Sequence, residues 1–198
     1  MAYMTYANAL RPSAKRYTLL YDVALVVGGS LVVALSAQVA IPLPFSPVPI
    51  SAQTLAVLLI GALLGSRRGG LCLATYLLEG AAGLPVFAGG RGGVVHLLGP
   101  TGGYLVGFVA VAFAIGLLAE RGWDRRVSTT LLMMLLGNAL IYVFGLPWLA
   151  RFVGGERVLA LGLLPFLPGD LLKLTLSATL LPAGWKVLAR ERTKDTRE

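Results

Sequence analysis

The sequence alternates between long apolar runs and short segments that carry most of its charged residues. An apolar run of about 20 residues is long enough to cross the hydrocarbon core of a bilayer as a helix. The pattern predicts six transmembrane helices, at 19–41, 51–65, 69–82, 104–119, 127–148 and 169–188. We therefore expect an all-α integral membrane protein in which residues 1–198 form a single membrane domain.

The third run is shorter than the others and is followed by a stretch rich in glycine. Its 14 residues make about 21 Å of helix, less than the ~30 Å core, so the helix is expected to end inside the membrane. Residues 83–104 then contain eight glycines and two prolines. The free backbone groups of such a segment cannot face lipid. It is expected either to be a loop in water or to line a cavity, where glycine lets the backbone approach a ligand closely.

Basic residues are distributed unevenly between the two sides of the predicted bundle. Thirteen lie at one set of span ends and three at the other, which predicts that both termini are cytoplasmic. The thirteen are Arg11, Lys15, Arg16, Arg67, Arg68, Arg121, Arg125, Arg126, Lys186, Arg190, Arg192, Lys194 and Arg197, and the three are Arg91, Arg151 and Arg157. The net charge of +8 is then a consequence of topology, and no nucleic-acid partner is needed to explain it. The glycine-rich stretch and the extended turn predicted at 41–50, which has four prolines, both fall on the outer side, so a ligand pocket there faces outwards and is capped by loops.

The composition agrees with a membrane protein and excludes several kinds of site. Charged residues make up 13% of the chain, against about 25% in soluble domains, and the mean hydropathy is +0.79. With one cysteine, Cys72, and one histidine, His96, a metal site built from these residues is not expected. His96 is interpreted as a loop residue. The sequence lacks the GxxxxGK[ST], GxSxG and HExxH motifs. We therefore expect neither an enzyme nor a cofactor.

Asp170 and Lys173 are the most informative charged residues. Ionisable side chains at membrane depth are costly and usually face the interior or a cavity. Asp170 follows Pro168-Gly169 at the start of the last span, where free N–H groups favour a carboxylate. Lys173 lies three residues later on the same face. The two residues form either a structural cap and salt bridge or an acceptor and a donor for a polar ligand.

Arg91 is the single charged residue among the glycines of GGRGG. A guanidinium matches a carboxylate in a two-point contact, and Gly92 leaves room for a ligand beside it; alternatively, Arg91 is simply solvated. Glu79 is placed to balance its charge. The polar residues of the spans are further candidates for ligand contacts or for hydrogen bonds between helices, and Phe87 is a candidate for the apolar wall. These polar residues are Gln38, Gln53, Tyr104 and Asn138.

Four segments together resemble the BioY family, the biotin-specific substrate-capture (S) components of bacterial energy-coupling-factor (ECF) transporters. They are IPLPFSPVPISAQTL (41–55), GLPVFAGGRGG (83–93), LLGPTGGYLVGF (97–108) and PGDLLK (168–173). Each motif alone is weak, but the four occur in the right order over nearly the whole chain. The resemblance implies high-affinity biotin capture in the bacterial cytoplasmic membrane, with Arg91, Asp170 and Lys173 as the polar contacts to biotin.

The resemblance also implies partners. Import requires a separate transmembrane coupling subunit and two cytoplasmic ATPases. Small residues four apart let helices approach closely in lipid, and the family's docking pattern in the first helix falls on Ala24 and Gly28 or on Ser30 and Ala34. Two other functions stay open at this point: an S component for another vitamin, and a small membrane transferase that holds phosphate with the glycine-rich loop.

Overall fold

The computed structural model describes residues 3–12 and 15–195, and it is mostly helical. Arg197, one of the residues used to predict the orientation, lies outside the described residues. Nine α-helices are present in these two ranges: α1 (Tyr6–Ala9), α2 (Thr18–Gln38), α3 (Gln53–Leu64), α4 (Ser66–Ala81), α5 (Val94–Leu97), α6 (Gly102–Ala119), α7 (Val127–Val153), α8 (Val158–Gly162) and α9 (Leu167–Asp195). Short 3₁₀ turns occur at Lys15–Tyr17 and Trp123–Arg125.

The proline-rich segment, expected to be an extended turn, is a β-hairpin within a chain that is otherwise mostly helical. Strand β1 (Ala40–Leu43) pairs antiparallel with β2 (Ser46–Ser51). Proline has no N–H to donate and is tolerated in edge strands. In a two-stranded sheet both strands are edges, which explains how β1 and β2 accommodate their three prolines.

Several helix ends differ from the predicted boundaries. The segment Ser66-Arg67-Arg68, expected to be a turn, is the first turn of α4. Gly65 has a φ of 85° and connects α3 directly to α4. The Glu120 carboxylate accepts hydrogen bonds from the Ser66 N–H (2.8 Å) and hydroxyl (2.9 Å). These bonds satisfy groups that a helix start leaves free. At the other end of the chain, α7 and α9 extend past residues 148 and 188.

Three helices are long and apolar enough to cross a membrane by length and composition: α2, α6 and α7. Helix α3 is apolar but has 12 residues, and α4 carries Arg67, Arg68 and Glu79. The chain is thus a membrane protein by its helices, and the six-span topology stays a prediction.

Helix α6 is the centre of the bundle. Within its apolar window 61% of the residues are buried, against 22% for α2. Glycines let its neighbours approach closely: a Cβ at Gly61 of α3 would lie 2.7 Å from the Ala112 carbonyl oxygen. A Cβ at Gly116 would lie 2.2 Å from the backbone nitrogen of Ser66. Helix α2 is peripheral and exposes most of its surface.

The two ends of the bundle differ. At one end the N-terminal segment packs against the far half of α9: the Tyr6 and Trp185 rings lie 4.2 Å apart. The Trp185 indole N–H donates to the Asp124 carboxylate at 2.5 Å. At the other end the β-hairpin and the glycine-rich segment cover the bundle and enclose its main cavity.

Candidate ligand-binding site

A cavity of about 520 Å³ lies beneath the β-hairpin and the glycine-rich segment. Small-molecule pockets typically have about 300–1,000 Å³. Its lining comes from the hairpin, from the loop around Arg91, and from α3, α6, α7 and α9. Six of the residues that the sequence proposed as ligand contacts line it: Gln53, Arg91, Tyr104, Asn138, Asp170 and Lys173.

The glycine-rich loop is held in place by Gln38 at the end of α2. The Gln38 side-chain amide donates to the carbonyl oxygen of Phe87 at 3.3 Å, and its oxygen accepts from the Gly90 N–H at 3.0 Å. Gly89 and Gly90 have φ values of 73° and 69°, a conformation that glycine adopts without steric cost. The resulting tight turn is closed by a hydrogen bond from the Phe87 N–H to the Arg91 carbonyl oxygen, at 2.9 Å. The turn places Arg91 at the cavity.

Arg91 lies on the exposed side of the cavity. Its guanidinium makes no hydrogen bond or ion pair with residues in the described ranges. The expected balance with Glu79 was wrong, because the Glu79 carboxylate instead lies 2.9 Å from the Ser30 hydroxyl, between α2 and α4. Arg91 therefore presents an uncompensated positive charge to a ligand.

Asp170 and Lys173 form the buried side of the cavity, with side-chain exposures of 8% and 13%. The Lys173 ammonium lies 3.6 Å from Asp170 and donates to the Ser51 carbonyl oxygen (2.9 Å) and the Thr54 hydroxyl (2.7 Å). The other Asp170 oxygen accepts a hydrogen bond from the Tyr142 hydroxyl. The pair is thus both a salt bridge and part of the cavity wall, so the two interpretations of the sequence are not exclusive.

Asn138 brings a free donor to the same region. Its side chain is buried, at 5% exposure, and its amide nitrogen has no hydrogen-bond partner among the described residues. Buried polar groups are nearly always paired, so an orphan amide that lines a cavity is well placed to bind a polar ligand. Asn138 and Tyr142 are four residues apart and share one face of α7.

Gln53 and Tyr104 line the cavity but already use polar groups within the protein. The Gln53 amide nitrogen donates to the Tyr76 hydroxyl at 2.6 Å. The Tyr104 hydroxyl donates to the Gly162 carbonyl oxygen at 3.0 Å. The Tyr104 ring packs on Gly145, where a Cβ would lie 2.3 Å from it. Gln53 and Tyr104 therefore contribute to the cavity wall and can accept hydrogen bonds from a ligand through their remaining lone pairs.

Phe87 and Gly92 were predicted to contact the ligand, but they do not line the cavity. The Phe87 ring is fully buried and packs on Gly80. It also stacks on the His96 ring, with the ring centroids 5.3 Å apart. Full burial of an aromatic side chain in the core stabilises the fold more than partial burial in a cavity wall does. At Gly92 a Cβ would lie 2.3 Å from the Leu84 carbonyl oxygen. A side chain at position 92 would therefore clash with the backbone of the same loop, which explains why this residue is glycine.

The sequence interpretation missed His96, which lies in α5 and lines the cavity. Burial, and then the nearby charge of Arg91, lower the pKa of His96 below its usual range. The imidazole is therefore neutral at pH 7 and adds no charge to the site. Thr54 and Tyr142 were also missed. Tyr142 was detectable from its spacing to Asn138, whereas Thr54 joins the site through the position of Lys173.

The predicted docking residues of α2 divide into two groups. Ser30 and Ala34 are buried, and the Ser30 hydroxyl is occupied by contacts to Glu79 and to the Val27 carbonyl oxygen. Because these side chains are buried within the protein, the structure disfavours the alternative that places docking on Ser30 and Ala34. Ala24 and Gly28 are exposed on α2.

Comparison with known proteins gives consistent matches. The model of the BioY family matches residues 8–190. The biotin transporter BioY of Rhizobium etli is 41% identical over 159 residues, which is 76% of this chain and 85% of that protein. The biotin transporter BioY of Thermotoga maritima is 42% identical over 153 residues, with coverages of 77% and 89%. A crystal structure of the S-component for biotin from an ECF-type ABC transporter superposes with a TM-score of 0.75 at 24% identity, covering 88% of this chain and 95% of that one. Its low identity makes it a match of fold. By sequence, this chain belongs to the BioY family.

Proposed function

We propose that this chain captures biotin and serves in its uptake across the cytoplasmic membrane of a bacterium, as the substrate-binding subunit of an ECF-type transporter. The observation that carries the proposal is the cavity, which combines a free guanidinium on its exposed side with a buried polar cluster on the other. Relatives about 40% identical are named biotin transporters, which supports the choice of ligand.

The asymmetry of the cavity favours one orientation of biotin, which we propose here. Biotin has a carboxylate at one end and a neutral ureido group, with N–H donors and a carbonyl acceptor, at the other. On the buried side the Lys173 ammonium is already occupied by Asp170, the Ser51 carbonyl oxygen and the Thr54 hydroxyl, whereas the unpaired Arg91 offers a carboxylate a two-point cationic partner. The ureido group fits the buried side, where Asp170 accepts and the Asn138 amide donates. The carboxylate therefore meets Arg91.

The sequence lacks a nucleotide-binding GxxxxGK[ST] motif, so the chain is not expected to drive uphill transport by its own ATP hydrolysis. We propose a transmembrane coupling subunit and two cytoplasmic ATPases as partners. The S-component fold supports this assignment, because that structural relative is described as part of an ECF-type ABC transporter.

Titration of the purified chain with biotin in detergent tests the proposal. Arg91→Ala removes the carboxylate partner, and loss of a charged hydrogen bond of about 1.5–3 kcal/mol weakens affinity by roughly 10- to 150-fold. Arg151→Ala is the matched control, since Arg151 stacks on Trp148 and does not line the cavity. It should leave affinity unchanged.

The same titration separates the remaining candidates. Tighter binding of a different vitamin would keep the transporter class and change the ligand. If neither biotin nor another vitamin bound to the well-folded protein, the proposal would be contradicted. A membrane transferase would then be the remaining candidate. No specific feature of the cavity favours the transferase. Among the described residues, Arg91 lines the cavity, and the glycine-rich segment that carries it lacks a nucleotide-binding motif.

A further inference from the structure

A second concavity is an open groove of about 740 Å³ that is lined by α4, α6 and Phe144 of α7. Its lining combines the small residues Gly70, Ala74 and Ala110 with larger apolar side chains that include Phe113 and Phe144. The groove exists because the small residues leave a channel between the larger side chains.

Arg67 is the one charged residue that lines this groove. It is exposed and forms no ion pair or hydrogen bond within the described part of the chain. Its neighbour Arg68 differs: the Arg68 guanidinium pairs with Asp22 at 2.8 Å and donates to the Asn8 side chain at 2.8 Å. Arg68 is thus used by the fold, whereas Arg67 is left as an uncompensated cation at the end of an apolar channel.

We propose that this groove binds an anionic phospholipid, with the phosphate on Arg67 and one acyl chain along α4 and α6. From Arg67 to Ala74 the helix rises about 10 Å, which is two-thirds of the roughly 15 Å of hydrocarbon in one leaflet. A cation at the headgroup level with an apolar channel leading inwards complements a lipid that is negative at one end and apolar along its length. The proposal does not depend on biotin. It rests on the proposed membrane topology, which places Arg67 at the headgroup level of the cytoplasmic leaflet.

The other occupant that such a groove could take is a helix of a coupling subunit. A helix has a diameter of about 10 Å with its side chains, and the exposed face of α2 already offers it the small residues Ala24 and Gly28, four apart. The isolated charge of Arg67 favours a single phosphate, and the proposed occupant is therefore a lipid.

The test measures lipid retention by the delipidated full chain in detergent, by native mass spectrometry. The probes are palmitoyl-oleoyl phosphatidylglycerol and phosphatidylcholine. The wild-type chain should retain one phosphatidylglycerol in preference to phosphatidylcholine. Arg67→Gln should lower the apparent affinity for phosphatidylglycerol by roughly five-fold, the effect of one basic residue at a membrane surface. Arg126→Gln removes an exposed charge outside the groove and should have no effect.

Two variants test the acyl channel without changing charge. Ala74→Leu fills the groove and should lower retention of phosphatidylglycerol. Gly70→Ala is the milder version, because a Cβ there would contact Phe113 at an ordinary 3.6 Å, so it folds even where Ala74→Leu does not. Thermal melting and biotin titration confirm folding in each case and keep this result separate from the proposed function.

Three outcomes would overturn the lipid site. The first is wild-type lipid retention by Arg67→Gln. The second is an equal loss in Arg67→Gln and Arg126→Gln, which would indicate diffuse attraction to charge. The third is unchanged lipid retention in a folded groove variant, together with reduced co-purification of a coupling subunit, which would assign the groove to a protein partner.

Discussion

Lys173 is held by more partners than a salt bridge provides. Its ammonium contacts a backbone carbonyl, a threonine hydroxyl and the Asp170 carboxylate, so it keeps two hydrogen bonds when Asp170 is removed. Asp170 likewise keeps the Tyr142 hydroxyl when Lys173 is removed. Breaking a buried ion pair on one side ordinarily costs about 3–5 kcal/mol. The additional partners soften that loss and allow single variants to fold.

Asp170→Asn and Lys173→Met should therefore each weaken biotin binding in a protein that still folds. The predicted loss of affinity is roughly 10- to 150-fold for each, from one charged hydrogen bond of about 1.5–3 kcal/mol. The double variant should bind biotin no better than the weaker single variant. Titration with biotin, together with thermal melting without ligand, measures both effects.

A purely structural pair gives the opposite pattern. Each single change would then lower the melting temperature more than the double change, because only the single change leaves a charge buried alone. Recovery of both stability and biotin affinity in the double variant would remove Asp170 and Lys173 from the ligand site.

At this scale the three charged residues proposed from the sequence line the cavity, whereas Phe87, proposed for its wall, does not. Asp170, Lys173 and Arg91 were identifiable because charged residues are costly, and therefore rare, within the apolar part of a membrane protein. Phe87 was misplaced because the sequence does not indicate whether an aromatic residue beside a loop enters the core or a cavity. Thr54 was missed because a threonine in an apolar helix carries no distinguishing pattern.

Among the elements, α2 combines a buried edge with a broad exposed face. Val33 and Ala37 are fully buried, whereas Leu31 and Leu35 are 53% and 70% exposed. Ala24 and Gly28 form a small-residue gap in this exposed face. Small residues four apart permit close approach of another helix, so this gap is the place where we expect a coupling subunit to dock.

Leucine at Ala24 or Gly28 should disrupt association with the coupling subunit and spare biotin binding. A Cβ at Gly28 has no neighbour within 4 Å, so the larger side chain fits the isolated protein and even improves helix propensity. Co-purification of the coupling subunit measures the loss. Ser30→Leu is the contrasting variant: it places a large apolar side chain against Glu79 inside the bundle and should destabilise the fold itself. Undiminished association in both exposed variants would show that α2 docks elsewhere or not at all.

The elements also show which local patterns were readable. Apolar runs predict helices reliably because the period of burial and the length of the run agree. The hairpin was missed because prolines argue against strands in a sheet interior, and only the two-stranded arrangement makes every strand an edge. The start of α4 at Ser66 depends on Glu120, 54 residues away, a tertiary contact that no local pattern contains.

For the whole molecule, the two ends of the bundle have opposite characters. The cavity end carries Arg91, with the exposed glycines Gly154 and Gly155 at the end of α7. The other end gathers Arg68, Arg125 and the N-terminal segment: Arg125 lies over the Tyr3 and Trp185 rings at 5.0 and 4.1 Å. The N-terminal segment and the far half of α9 therefore lie at the same end. The excess of basic residues at that end predicts that it is cytoplasmic.

Cysteine labelling in intact cells tests this orientation, in a Cys72→Ala background. Cys72 is buried, so its removal only lowers background labelling. Gly155→Cys marks the cavity end, where a Cβ has open space, and Ser128→Cys marks the basic end with an isosteric change at an exposed residue. Neither substitution alters a basic residue, so neither disturbs the charge asymmetry. A membrane-impermeant maleimide should label position 155 in intact cells and position 128 only after permeabilisation. Labelling of position 128 in intact cells, with position 155 protected, would reverse the bundle. The cavity would then open to the cytoplasm, and capture of external biotin through this site would be excluded.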